Sequence, residues 1–101
     1  EHLLEADAIY MTRLQDEWDD NNYSNKIDRK KFQLDYSHLE KMKKDAIIMH
    51  PLPRREEIST SIDNSSKAMY WRQMRNGMWI RAALILKTFG RENYIYDWEN
   101  I

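Results

Sequence analysis

The stretch Ala46-Ile47-Ile48-Met49-His50-Pro51-Leu52-Pro53-Arg54 constrains this chain more than any other. Its apolar run, Ala46 to Met49, is long enough for one buried strand and too short for a helix. Proline has no N–H to give a sheet ladder, so the strand must stop near His50. Leu52 precedes a proline, which favours an extended backbone there. With Pro51 and Pro53 lacking N–H groups, the loop is biased toward presenting carbonyls. A stiff, carbonyl-rich loop at the C-terminal end of a buried strand is where an α/β protein places a ligand. An ordinary surface turn would use the same residues.

A chain of 101 residues is one domain or part of one. Charged residues make up 33% of it, yet the net charge is −1 with no long block of one sign, which argues against nucleic acid as the main partner. The absence of cysteine removes disulfides, thiolate nucleophiles and cysteine metal sites. No apolar run is long enough to span a bilayer and no signal-peptide pattern is visible, so a soluble cytoplasmic protein is expected. Two glycines are few for a complete α/β enzyme. The chain also opens inside an apparent helix end, Glu1-His2-Leu3-Leu4-Glu5, without a methionine. Both features lead to the expectation that it is a piece of something longer.

A second apolar run, Asp7 to Thr12, reads as another buried strand and leads into Arg13-Leu14-Gln15. Arginine carries a planar fork of donors suited to carboxylate or phosphate. Gln15, two residues on, falls on the same side of an extended segment. Asp16 to Lys31 reads as a long polar loop anchored by Trp18 and Tyr23. Its acidic run Asp16, Glu17, Asp19, Asp20 is a solvated face rather than a metal site. Ser37 and Glu40 have capping-box spacing, which predicts a short helix starting at Ser37 with Leu39 and Met42 on its apolar face. Strand, helix, strand is a βαβ unit, with parallel strands and a right-handed connection. Parallel strands end on one edge, so Arg13 and Gln15 converge there with His50, Pro51, Leu52, Pro53 and Arg54.

Downstream, Ile58 and Ile62 are expected to pin a connecting segment to the core. The cap-type residues Asn64, Ser65 and Ser66 precede a long helical pattern. In it Trp71, Met74, Met78, Ala82, Ile85 and Phe89 form a stripe that reads as core. Gly77 interrupts the pattern, permitting close packing or a bend, and Gly90 closes the helix. The expected fold is α/β, a partial three-layer domain with a parallel βαβ unit and a long C-terminal helix. It spans residues 1–90, with a tail, 91–101, of unassigned role.

Three motifs resemble one family closely: Ala6 to Gln15, Met49 to Ile58, and Tyr70 to Leu84, in family order and spacing. They are similar to aspartate carbamoyltransferase, and the likeness runs to about Gly90, corresponding to the C-terminal part of the aspartate-binding domain. The resemblance implies transfer of a carbamoyl group from carbamoyl phosphate to L-aspartate, in pyrimidine biosynthesis, with no metal or organic cofactor. It implies a homotrimer with active sites between subunits. By this likeness Arg13 grips the aspartate carboxylate and Gln15 stands beside it, and the backbone carbonyls of Leu52 and Pro53 accept from the carbamoyl NH₂. The Leu52–Pro53 bond is expected to be cis, on the family likeness and on the need for a sharp turn that leaves carbonyls free. His50, Pro51 and Arg54 support the loop.

The chain departs from the family pattern at Trp18, where many members have an arginine that helps hold the closed state. It contains no phosphate-binding loop and no match to the catalytic histidine or the lysine lent by a neighbouring subunit. The N-terminal carbamoyl phosphate domain is therefore expected to be a missing partner, and no catalytic residue lies in this piece. The alternatives are a truncated, inactive copy acting as an assembly or regulatory partner, and a sister carbamoyltransferase. Ornithine-type enzymes carry a cysteine after the motif histidine, and Pro51 in that place favours aspartate.

Overall fold

The computed structural model describes residues 2–15, 20 and 23–96, so Trp18, Trp98 and most of the acidic run at 16–20 lie outside the described residues. The chain divides into two compact units, Glu1–Tyr70 and Trp71–Ile101.

The first unit is built on two strands, β1 (Ala8–Tyr10) and β2 (Ile47–Met49). They pair in parallel, with Ala8 against Ile47, Ile9 against Ile48 and Tyr10 against Met49. This is the expected strand arrangement, each strand being shorter than its apolar run. The ladder continues past β1, where the Met11 N–H donates to the Met49 carbonyl at 2.9 Å. Along its other side β2 meets residues 67–69, with Ile48 N–H donating to Lys67 O at 2.7 Å and Met69 N–H donating to Ile48 O at 2.8 Å. Strand β2 is therefore hydrogen-bonded on both sides, through Ile47 and Met49 on the β1 side and through Ile48 on the other, and Ile48 is wholly buried. Around it pack Leu34, Leu39, Met42, Ala46, Ile58, Ile62 and Tyr70. Ile58 and Ile62 pin the connecting segment as their spacing suggested.

Between the strands, Tyr23–Lys26 and Arg29–Phe32 form single 3₁₀ turns, and α1 (Tyr36–Leu39) is one turn of helix. Its cap is Asp35, not Ser37. The Asp35 carboxylate accepts from the Ser37 N–H at 2.9 Å, and His38 Nδ1 lies 3.2 Å from the Asp35 N–H, closing the box from the other side. Both Asp35 and Ser37 are N-cap types. The aspartate wins here because its carboxylate also accepts from the Ser37 hydroxyl at 2.6 Å, which occupies the rival cap.

The long helix α2 (Tyr70–Thr88) begins four residues after Ser66. Before it, residues 67–69 pair with Ile48 at the edge of the sheet. Gly90 ends α2 as expected, at φ 63, with its N–H on Lys87 O at 3.0 Å and the Arg91 N–H on Leu86 O at 2.8 Å. This pair of bonds is a Schellman motif. A short helix, α3 (Asn93–Tyr96), follows. The expected core stripe is corrected by the structure: Trp71, Met74, Met78, Ile85 and Phe89 are all exposed in this chain. Trp79, Ile80 and Leu84 are exposed as well, so α2 is apolar around much of its circumference rather than along one stripe. Such a helix needs partners on several faces to be covered.

Candidate functional site

Parallel pairing carries the ends of β1 and β2 to one edge, and the segments that follow them build the candidate site there. After β2 comes His50, 1% exposed, then Pro51 and Pro53, both exposed, around a half-buried Leu52. The Leu52–Pro53 peptide is cis. Leu52 itself departs from the extended form expected before proline and stands at φ 52. The left-handed region costs a residue with a Cβ roughly 1–2 kcal/mol. Such strain persists only where the surroundings over-determine it.

The surroundings here are a buried pair. The Leu52 N–H donates to His50 Nδ1 at 2.8 Å, and His50 Nε2 lies 2.7 Å from Glu57 Oε1. The same carboxylate oxygen accepts from the Arg55 N–H at 3.1 Å. Burial works against the Glu57 charge, but the Arg55 N–H, the Glu57 N–H and the His50 ring together outweigh it and hold this carboxyl below the usual range. Glu57 was not anticipated from the sequence. Only a buried histidine in search of a partner would have pointed to it.

Arg54 is bound within the chain. Its Nη1 and Nη2 clasp the two oxygens of Asp63, the second at 2.6 Å. The Tyr70 hydroxyl donates to Asp63 Oδ1 at 2.5 Å, and the guanidinium lies 5.5 Å from the Tyr70 ring centroid. The Arg54 guanidinium holds the Asp63 carboxyl below its ordinary range, while burial and the Asp63 charge push the Tyr70 hydroxyl up to about 12. Arg54 thus ties the end of the loop to Asp63 and Tyr70 within the first unit. Asp63 and Tyr70 are again partners that no spacing revealed.

On the β1 side, Arg13 is half-buried and Gln15 exposed, both just beyond the strand. A cavity of about 270 Å³ opens at this end, lined by Tyr10, Met11, Thr12, Leu14, Arg29, Phe32, Arg55, Glu56 and Glu57. Arg13, Gln15, Leu52 and Pro53 do not line it. The cavity instead draws in the Arg29–Phe32 turn, which the loop holds through Arg29 to Glu56 at 3.3 Å and Gln33 Nε2 to the Glu56 carbonyl at 2.8 Å. Its wall combines apolar side chains with two arginines and two glutamates, Arg29 being paired with Glu56. Among the described residues no His, Cys, Asp or Glu cluster is placed to hold a metal ion, and no helix is long and apolar enough to cross a membrane.

Comparison with known proteins places these features in context. Residues 1–88 match the family described as aspartate/ornithine carbamoyltransferase, Asp/Orn binding domain. The aspartate carbamoyltransferase catalytic subunit of Clostridium acetobutylicum is 43% identical over 90 residues, covering 87% of this chain and 29% of that protein. That of Thermoplasma volcanium is 44% identical over 92 residues, covering 89% of this chain and 30% of its own length. The chain thus spans less than a third of the curated relatives it matches. Among solved structures, aspartate transcarbamoylase from Trypanosoma cruzi in complex with carbamoyl phosphate superposes with a TM-score of 0.75 at 36% identity, over 82% of this chain and 26% of that one. The same enzyme in complex with carbamoyl aspartate and phosphate gives 0.73 at 37% identity, over the same shares.

Proposed function

Because the chain belongs to the aspartate/ornithine carbamoyltransferase family and carries its Asp/Orn-binding domain, we propose that it is the amino-acid-gripping part of an aspartate carbamoyltransferase. The whole enzyme transfers the carbamoyl group of carbamoyl phosphate to L-aspartate, giving N-carbamoyl-L-aspartate and phosphate. The aspartate amine attacks the carbamoyl carbon and a C–N bond forms; the bond from that carbon to the phosphate oxygen breaks, phosphate leaves with its electron pair, and the amine nitrogen gives up one proton. Arg13 grips an aspartate carboxylate with Gln15 beside it, and the carbonyls of Leu52 and Pro53 accept from the carbamoyl NH₂. His50, Pro51 and Arg54 support that loop. The carbamoyl phosphate domain is supplied from outside these residues, and the complete enzyme works as a cytoplasmic homotrimer without a cofactor.

The observation that carries this reading is the shared edge. Parallel β1 and β2 bring an arginine-bearing segment and a carbonyl-presenting loop to the same end of one sheet. The test is kinetic, in the full-length polypeptide. Arg13→Ala is expected to weaken aspartate use by the equivalent of about 1.5–3 kcal/mol, as for a charged hydrogen bond, with carbamoyl phosphate binding little changed. Unchanged KM for aspartate and unchanged kcat would remove Arg13 from the site. The 101 residues alone are expected to make no carbamoyl aspartate, because they lack the donors that stabilise the leaving phosphate. Product formed by these residues above the uncatalysed rate would overturn that expectation.

A further inference from the structure

We propose that His50 and Glu57 are positioning residues for the carbamoyl transfer, a buried strut that keeps the Leu52 and Pro53 carbonyls free for substrate. The proposal rests on the loop's assignment as the carbamoyl-binding element. It begins from the fate of the loop's N–H groups. Pro51 and Pro53 have none. The Leu52 N–H is spent on His50 Nδ1 at 2.8 Å, and the Arg55 N–H on Glu57 Oε1 at 3.1 Å. The two side chains then meet each other at 2.7 Å.

The chemistry of the ring follows. A nitrogen that accepts carries no proton, so the His50 proton sits on Nε2 and is donated to the Glu57 carboxylate. One tautomer alone completes the circuit: Leu52 N–H to Nδ1, Nε2–H to Oε1, and Arg55 N–H to the same Oε1. The circuit bridges the loop from both sides of Pro53. The His50–Glu57 bond at its centre is buried, the His50 side chain having 0% exposure and the Glu57 side chain 11%.

A second observation points the same way. Leu52 stands at φ 52, a region leucine rarely occupies. Its amide is the group the imidazole holds. A residue held in a strained conformation next to a candidate ligand site is a feature of preorganised binding loops. Substrate then meets carbonyls already in place rather than a loop it must order.

The test separates the two ring nitrogens in the full-length enzyme. His50→Asn places a carboxamide oxygen near the Nδ1 position and keeps an acceptor for Leu52. His50→Gln reaches the Nε2 position and keeps a partner for Glu57, but leaves Leu52 without an acceptor. With one hydrogen bond at stake, His50→Gln is expected to raise the KM for carbamoyl phosphate about tenfold and to speed amide exchange in the 50–57 peptide. His50→Asn is expected to stay within about threefold, with slow exchange retained. Equal losses in both variants, in step with a fall in melting temperature, would overturn the positioning role. Slow exchange at Leu52 in His50→Gln would overturn the strut and leave the loop's assignment standing. Fast exchange with an unchanged carbamoyl phosphate KM would overturn the assignment itself, and the positioning role with it. The unmodified enzyme gives an independent check, because Leu52 and Arg55 amides should be protected before any substrate is added. Protection that appears only with carbamoyl phosphate would overturn a preformed strut.

Discussion

Residues 1–70 and the helical unit after them carry similar apolar side chains and treat them in opposite ways. In the first, Leu34, Leu39, Met42, Ile48, Ile58, Ile62 and Tyr70 close over one another. In the second, Trp71, Met74, Met78, Trp79, Ile80, Leu84, Ile85 and Phe89 stay exposed. The first unit joins segments far apart in sequence, and each covers another. A single helix brings together only residues three and four apart, so it cannot cover its own surface. The contrast teaches that apolar content alone does not make a core; the topology that folds one segment onto another does.

The contrast is open to direct attack, and the strongest blow is Ile48→Ala. Ile48 is fully buried between β1 and residues 67–69, so truncation should cost about 2–5 kcal/mol. Urea unfolding should show a lower midpoint with an unchanged slope. A cost below 1 kcal/mol would mean the strand core is looser than described.

Next is the clasp of Arg54, Asp63 and Tyr70. Asp63→Asn should cost about 1–3 kcal/mol, since a buried hydroxyl and a guanidinium lose a charged acceptor. The cost should depend on pH. Arg54 lowers the Asp63 pKa in the folded state, so the carboxylate's contribution is fully present above its unfolded value of about 3.9. It fades as pH falls through the lower folded value. The gap in urea midpoint between the unmodified protein and Asp63→Asn should therefore narrow below about pH 4. A gap that stays constant down to pH 2 would deny the ion pair its role.

Smaller and opposite effects come from the two glycines. Gly90 sits at φ 63, so Gly90→Ala should destabilise by about 1 kcal/mol although a Cβ meets nothing within 4 Å. In Gly77→Ala the new Cβ has only Arg81 Nη2 at 3.9 Å nearby, and the helix should gain about 0.5–1 kcal/mol. A loss at Gly77 would reveal a close neighbour on that face in the full-length protein. The smallest effect is expected at Ile85→Ala, within about 0.5 kcal/mol, because the side chain is exposed here. A loss there as large as at Ile48 would erase the contrast and mean that this face of α2 is covered in the full-length protein.

The parts legible in the sequence were those written in short-range pattern. Two apolar runs of strand length, a proline pair, the glycine after a long periodic segment, and the cis Leu52–Pro53 bond all appear in the structure. What sequence concealed depends on partners brought together by folding. Nothing near His50 marks Glu57 as its partner, and nothing near Arg54 marks Asp63 and Tyr70. The cap-type residues before α2 did not show that residues 67–69 join the sheet before the helix starts. Leu52 takes a positive φ against its pre-proline preference because its amide is tied to a buried ring. Helical spacing correctly marked α2 but said nothing about whether a surface exists to cover its stripe.

The pairing of β1 with β2 has a consequence in time. Ala8 meets Ile47 across about forty residues of chain, and contacts of that separation form late because closing the intervening loop comes before any pairing. Helix α2 needs only near neighbours, and helical segments form within about a microsecond. The edge that carries the candidate site exists only after the slow event, so binding competence arrives with the last long-range contact. A folding experiment that follows helix content and ligand binding separately should see the first signal rise well before the second. Lengthening the connection between the strands should delay the second signal and leave the first alone, while doubling it should cost only about 0.6 kcal/mol of stability.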